Sequence, residues 1–165
     1  MNAKKLVTIA LLIALEIILS RFLSIATPIV KIGFNFLPIA LIAMLYGPVY
    51  AGLSAATADF LGAVLFPIGA YFPGFTLTAF LTGIVYGVFL HKHERNLARI
   101  SIAVLMVTVV LNLGLNTLWL QMITGNGYLA LFPTRILRCV IIAPIQFICI
   151  RLVASKPVYS RLTKL

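Results

Sequence analysis

The sequence predicts an all-α integral membrane protein, six transmembrane helices forming one domain over residues 1–165. Three observations carry this. Of the 165 residues, 62% are hydrophobic and 10% charged, where a soluble domain carries roughly 25% charged and 45–50% apolar residues. The apolar runs are long and continuous, as in Ile100–Ile123. Helices of roughly 20 apolar residues satisfy every backbone polar group inside hydrocarbon, whereas a membrane β-barrel needs alternating polarity. Finally, Pro, Gly and charged residues cut the chain into six apolar segments.

The first segment is Leu6–Ile25, ended by Ala26-Thr27-Pro28. Its start resembles a signal peptide, but the run continues without a small-residue cleavage signature and reads as a retained span. The second, Phe34–Tyr46, is closed by Gly47-Pro48 and is short for a span. The third is Val49–Phe66, followed by the Gly/Pro-rich loop Pro67–Gly74. The fourth is Phe75–Leu90, the fifth Ile100–Ile123 and the sixth Thr134–Ala154.

A re-entrant second segment would leave five spans, and the basic residues argue against it. Lys4 and Lys5 precede the first span, Lys92, Arg95 and Arg99 separate the fourth from the fifth, and Lys156, Arg161 and Lys164 follow the sixth. Basic residues at membrane ends mark the cytoplasmic side. All three groups share that side only if the number of spans is even, so six spans with both termini cytoplasmic is the expectation.

The net charge of +10 therefore fixes topology rather than binding nucleic acid, which needs a clustered basic soluble surface. Cys139 and Cys149 lie in the last apolar run with no disulfide or metal spacing. No phosphate loop, zinc motif or nucleophile elbow is present. Glu16, Asp59 and Glu94 are the only carboxylates, and His91 and His93 sit in a basic loop. Too few polar groups remain for catalysis, so neither an enzyme nor a cofactor is expected.

This topology leaves Arg21, Lys31, Arg135 and Arg138 near the outer face, against the charge rule. Arg135 and Arg138 are placed in the first turns of the sixth helix, three residues apart and thus neighbours. They either snorkel to lipid phosphates or line a cationic mouth for an anionic solute. The lack of an outer carboxylate nearby in sequence favours the second reading.

Asp59, inside the third span, must have a partner, either a ligand donor or a neighbouring helix. Around it Gly52, Ala55, Ala56, Gly62 and Ala63 form a smooth face. On the fifth helix Thr108, Asn112, Asn116 and Trp119 fall on one stripe at 3.6-residue spacing, suited either to helix packing or to a flat heterocycle. Gln146 lies near the Arg135 face of the sixth helix and extends that lining. Ala10 and Ala14 make a small-residue face on the first helix, and Gly83 and Gly87 on the fourth; packing within the chain is the default reading of both. Ideal geometry turns Arg21 toward the Ala10 side, away from a shared interior.

At these residues the chain resembles the substrate-binding S components of energy-coupling factor (ECF) vitamin transporters, and most closely the folate-specific ones. The likeness rests on Ser20-Arg21-Phe22-Leu23-Ser24-Ile25 with Thr27-Pro28, on Lys31-Ile32-Gly33-Phe34 and on Ala58-Asp59-Phe60-Leu61-Gly62. It rests above all on Pro67 through Gly83, with Asn116-Thr117-Leu118-Trp119 and Pro133-Thr134-Arg135 following.

The resemblance implies a six-helix protein of a prokaryotic plasma membrane that takes folate or reduced folates from outside. The pocket would be capped by Ala26–Asn35 and Pro67–Gly74, where Gly69, Pro73 and Gly74 suit a loop that reorganises. The pterin would meet Asp59, Asn112, Asn116, Trp119, Tyr71 and Phe72; the dianionic tail would meet Lys31, Arg135, Arg138 and Arg21. The Ala10/Ala14 face would dock on a membrane coupling subunit. Two cytoplasmic ATPases would drive toppling and release.

Overall fold

In the computed structural model the described residues are 3–26, 31–67, 71–91, 96–125 and 127–155. They form six helices: α1 Ala3–Arg21, α2 Phe36–Tyr46, α3 Pro48–Leu65, α4 Pro73–Leu90, α5 Leu97–Thr124 and α6 Tyr128–Ala154. Between α1 and α2 a minimal antiparallel pair joins β1 (Ile25–Ala26) to β2 (Lys31–Ile32), in register Ile25↔Ile32 and Ala26↔Lys31. That pair is a two-residue link between helices and leaves the all-helical class as expected. Gly33 permits it, because a Cβ there would stand 2.8 Å from that of Ser24.

The helices α3 to α6 are each long and apolar enough to cross a membrane. Helix α2, with 11 residues, is about 16 Å long, shorter than a bilayer core. It has no need of lipid contact: Ile42, Ala43 and Met44 are at most 1% exposed, and α1, α3, α4 and α6 pack around it. The short apolar segment is the centre of the bundle.

The ends sort as parity requires. Lys5 Nζ on α1 lies 3.4 Å from the Tyr50 ring centroid and 5.1 Å from that of Tyr46, so the start of α1 meets the α2–α3 turn. Gly47 makes that turn at φ 92°, and His91, at the end of α4, donates from Nδ1 to the Met44 carbonyl at 3.2 Å. Ile100 on α5 and Ile150 and Ala154 on α6 join the same core cluster as Met44 and Leu90. The first residues of α1 and the last of α6 thus share the end that carries Lys4, Lys5 and Arg99. At the opposite end Phe22 and Phe66 pack edge to face at 5.1 Å. Lys92, Arg95, Lys156, Arg161 and Lys164 lie outside the described residues.

Small residues set the tightest contact, between α3 and α4. A Cβ on Gly83 would collide with the Ala51 carbonyl, and one on Gly87 with Pro48 Cα. Both glycines therefore pack internally, as expected. Ala10 and Ala14 do not: both are exposed, among exposed Leu6, Val7, Leu11 and Leu15, which corrects the default reading of that face.

Helix α5 is not uniformly α. Met106–Leu115 runs as π-helix, whose wider turns are frequent at functional sites. Helix α6 begins at Tyr128 and carries Pro133 and Pro144 inside it. Arg135 and Arg138 consequently lie about 10 and 15 Å along it, two to three turns in, and not in its first turns.

Candidate functional site

The polar residues gather on two faces of α4. Residues two apart on a helix point to nearly opposite sides, and Thr76 and Thr78 divide the site accordingly.

Toward α3, Thr76 Oγ1 donates to Asp59 Oδ2 at 2.8 Å and lies 3.1 Å from the Tyr71 hydroxyl. Tyr71 packs edge to face on Phe60 at 5.8 Å. Arg21 closes this group from α1: a Cβ on Gly62 would stand 2.9 Å from Arg21 Nε. Gly62 is three residues from Asp59 and so shares its face, and the Asp59 charge acts on the guanidinium. Arg21 thus reaches inward, because α1 ends at that residue and its long side chain crosses to the bare backbone of α3. Asp59 has a structural partner in Thr76.

Toward α5, Trp119 Nε1 donates to Thr78 Oγ1 at 3.0 Å, and its ring lies 5.6 Å from that of Phe72. Gly74 sits beneath both, where a Cβ would be 2.6 Å from Phe72 Cε1 and from Trp119 Cδ2. Pro73 and Gly74 are therefore the first residues of α4 and not part of a reorganising loop. Proline suits a first helical position, and only glycine fits beneath the two tilted rings.

Along α5 the expected stripe divides, because the π-helical turns alter its periodicity. Thr108 turns to α6, donating to Gln146 Oε1 at 3.3 Å, while Cys139 Sγ reaches the Thr108 carbonyl at 3.5 Å. Asn112 Nδ2 donates to the Val107 carbonyl five residues back at 3.1 Å, and Asn116 Nδ2 donates to Asn112 Oδ1 at 3.0 Å. The Asn116 Oδ1 acceptor is buried with no hydrogen-bond partner among the described residues.

Arg135, 6% exposed, and half-buried Arg138 come from α6. Their Nε atoms are likewise buried without a partner among the described residues. The helices packed on α6 are α2 and α5, and none of these three helices contains an Asp or Glu. Because α5 and α6 run antiparallel and meet at Thr108, Asn112 and Asn116 rise to about the depth of Arg138 and Arg135. Two cationic donors and one amide acceptor thus remain unused at one level of the α5–α6 side.

Ten residues were expected at the site. Asp59, Tyr71 and Arg21 fall on the α3 side of α4; Phe72, Trp119, Asn112, Asn116, Arg135 and Arg138 fall on the α5–α6 side. Lys31 is in β2 and its side chain lies outside the described residues, as does Gly69. Sequence reading missed Thr76 and Thr78, although two hydroxyls within an apolar helix are a signal that polar partners are at hand.

A family model described as ECF-type riboflavin transporter, S component, matches residues 1–156. The folate transporter FolT of Clostridium novyi (strain NT) is 48% identical over 145 residues, covering 88% of this chain and 84% of that protein. FolT of Leuconostoc mesenteroides is 34% identical over 170 residues, covering 99% and 91%. Among solved structures, that of FolT bound with folic acid superposes with a TM-score of 0.89 at 41% identity, covering 93% of each chain. Such proteins are transporter components, not enzymes. With helices long enough to cross the bilayer repeatedly, this multi-pass membrane protein belongs to the S-component family of ECF-type transporters.

Proposed function

We propose that the chain is the folate-binding subunit of an ATP-driven ECF importer in a prokaryotic cell membrane, acting as one six-helix unit over residues 1–165. The observation that carries the choice of ligand is the Arg135–Arg138 pair, buried on a helix whose neighbours bring no carboxylate. The family model is named for riboflavin, a neutral molecule that gives two buried guanidiniums nothing to pair with. Folate carries a dianionic glutamate tail, and the solved relative at 41% identity holds folic acid. Charge-assisted bonds from Arg to carboxylate are about twice as strong as neutral ones.

In this reading the tail enters between α5 and α6 and meets Arg135 and Arg138. The pterin, flat and rich in donors, lies on the Phe72–Trp119 platform and donates to Asn116 Oδ1, while Asn112 holds the Asn116 amide in place. Asp59, Thr76, Tyr71 and Arg21 fasten the outer ends of α1, α3 and α4 together. Opening this fastening would admit the vitamin from outside.

Nothing in the chain hydrolyses ATP, so energy would come from partners: a membrane coupling subunit and two cytoplasmic ATPases. Exposed Ala10 and Ala14 suit close approach by a coupling helix. Toppling of the whole bundle against that subunit would turn the pocket inward.

The test is competition on purified protein. Labelled folate should bind with submicromolar affinity and resist displacement by excess riboflavin or thiamine. Micromolar or weaker binding, or equal displacement by riboflavin, would refute the assignment.

A further inference from the structure

A guanidinium remains protonated at any pH a cell meets. Arg135 and Arg138 therefore hold two positive charges in the bundle at every stage of transport, including those with no vitamin bound. Removing each charge from water costs several kcal/mol unless something anionic compensates.

The protein itself provides little. Glu16 is on α1 and Asp59 on α3, and neither helix is among those packed on α6. Asp59 already accepts from Thr76. Glu94, the third carboxylate, lies outside the described residues. At about 10 and 15 Å along α6, the pair also lies deep for snorkelling, and Arg135 is only 6% exposed.

We infer that Arg135 and Arg138 form an oxyanion site of their own, which a phosphate group fills when the vitamin is absent and which the incoming tail must clear. Only the last clause rests on the folate reading. The chemistry is that of two guanidiniums on one helix face, three residues apart, each with a buried N–H to donate. Such forks match the oxygens of a dianion in a way that chloride, a single point charge, does not. Inorganic phosphate and the phosphate of a lipid headgroup share this chemistry.

The experiment uses the intact chain in a phosphate-free maltoside detergent at constant ionic strength, with thermal unfolding followed first in the absence of folate. Inorganic phosphate at about 10 mM should raise the midpoint where sodium chloride does not. The rise should vanish in Arg138→Gln and persist in Arg138→Lys. Should the Gln variant fail to fold, the broadening of the phosphate ³¹P resonance by wild-type protein, reversed by folate, gives the same reading. In calorimetric titrations, phosphate at ten times its own dissociation constant should weaken apparent folate affinity about tenfold.

A short-chain phosphatidic acid that reproduces both effects when inorganic phosphate does not would identify the headgroup as the source. If neither phosphate nor headgroup shifts the midpoint, the inference is overturned even though folate binds. If phosphate stabilises the protein and folate does not bind, the oxyanion site stands and the folate reading falls.

Discussion

The indole of Trp119 is tied to Thr78 by a 3.0 Å hydrogen bond, one side of α4 away from the Thr76 hydroxyl that serves Asp59. Thr78 accepts in one bond and Thr76 donates to a carboxylate in the other, so opposite faces of one helix fasten two different things: the aromatic platform and the outer helix ends.

Removing each bond should cost stability, more at Thr76 than at Thr78, and the functional costs should differ. Thr78→Val should lower stability by about 0.5–1.5 kcal/mol and Thr76→Val, which takes a donor from a carboxylate, by about 1.5–3 kcal/mol, a drop of a few degrees in unfolding midpoint. Thr78→Val should also weaken folate binding by isothermal calorimetry, because the platform ring is released. Thr76→Val should leave affinity within about threefold.

Asn116→Leu removes the buried acceptor and should weaken folate by about tenfold or more, the worth of a buried hydrogen bond left unmade. Asp59→Asn, which keeps an oxygen for Thr76 to donate to, should have no comparable effect on affinity. A larger loss at Asp59 than at Asn116, read in the same titrations, would place the pterin on the other side of α4.

Trp119 is the chain's single tryptophan, so its emission reports on the platform directly. Folate should quench it in proportion to occupancy, and the midpoint should match the calorimetric one. Unchanged emission at saturating folate would remove the indole from the site.

The α3–α4 contact tolerates no added atoms. Gly87→Val, which drives a side chain into Pro48, should destabilise by about 1–3 kcal/mol or more, with a lower midpoint and poor recovery from the membrane. Ala10→Trp with Ala14→Trp should instead leave midpoint and folate affinity unchanged while abolishing uptake in cells that supply the partner subunits. Loss of binding in that double variant would return those residues to an internal packing role.

Much of this was legible in the sequence, for identifiable reasons. Hydropathy and punctuation located six helices because hydrocarbon enforces long apolar runs, and basic residues set the parity that places Lys5 beside Tyr50. Gly83 and Gly87 declared a tight contact by their spacing. What failed was regular periodicity: an ideal helix predicts one stripe from Thr108 to Trp119, but the π-helical turns send Thr108 to α6 and Trp119 to α4. Helix starts were similarly hidden. Pro133 reads as a boundary, yet α6 begins at Tyr128, which moves Arg135 and Arg138 deep into the bundle. Arg21 was misdirected by the same idealisation, since a terminal arginine is not confined to its helix face.

The arginine pair is the centre of the account, and its most direct test compares two ligands on one variant. Arg135→Gln/Arg138→Gln should weaken folate by about two to four orders of magnitude, as the loss of two charge-assisted bonds worth roughly 1.5–3 kcal/mol each implies, while a tailless pterin loses little. Equal losses for folate and the tailless pterin would contradict it.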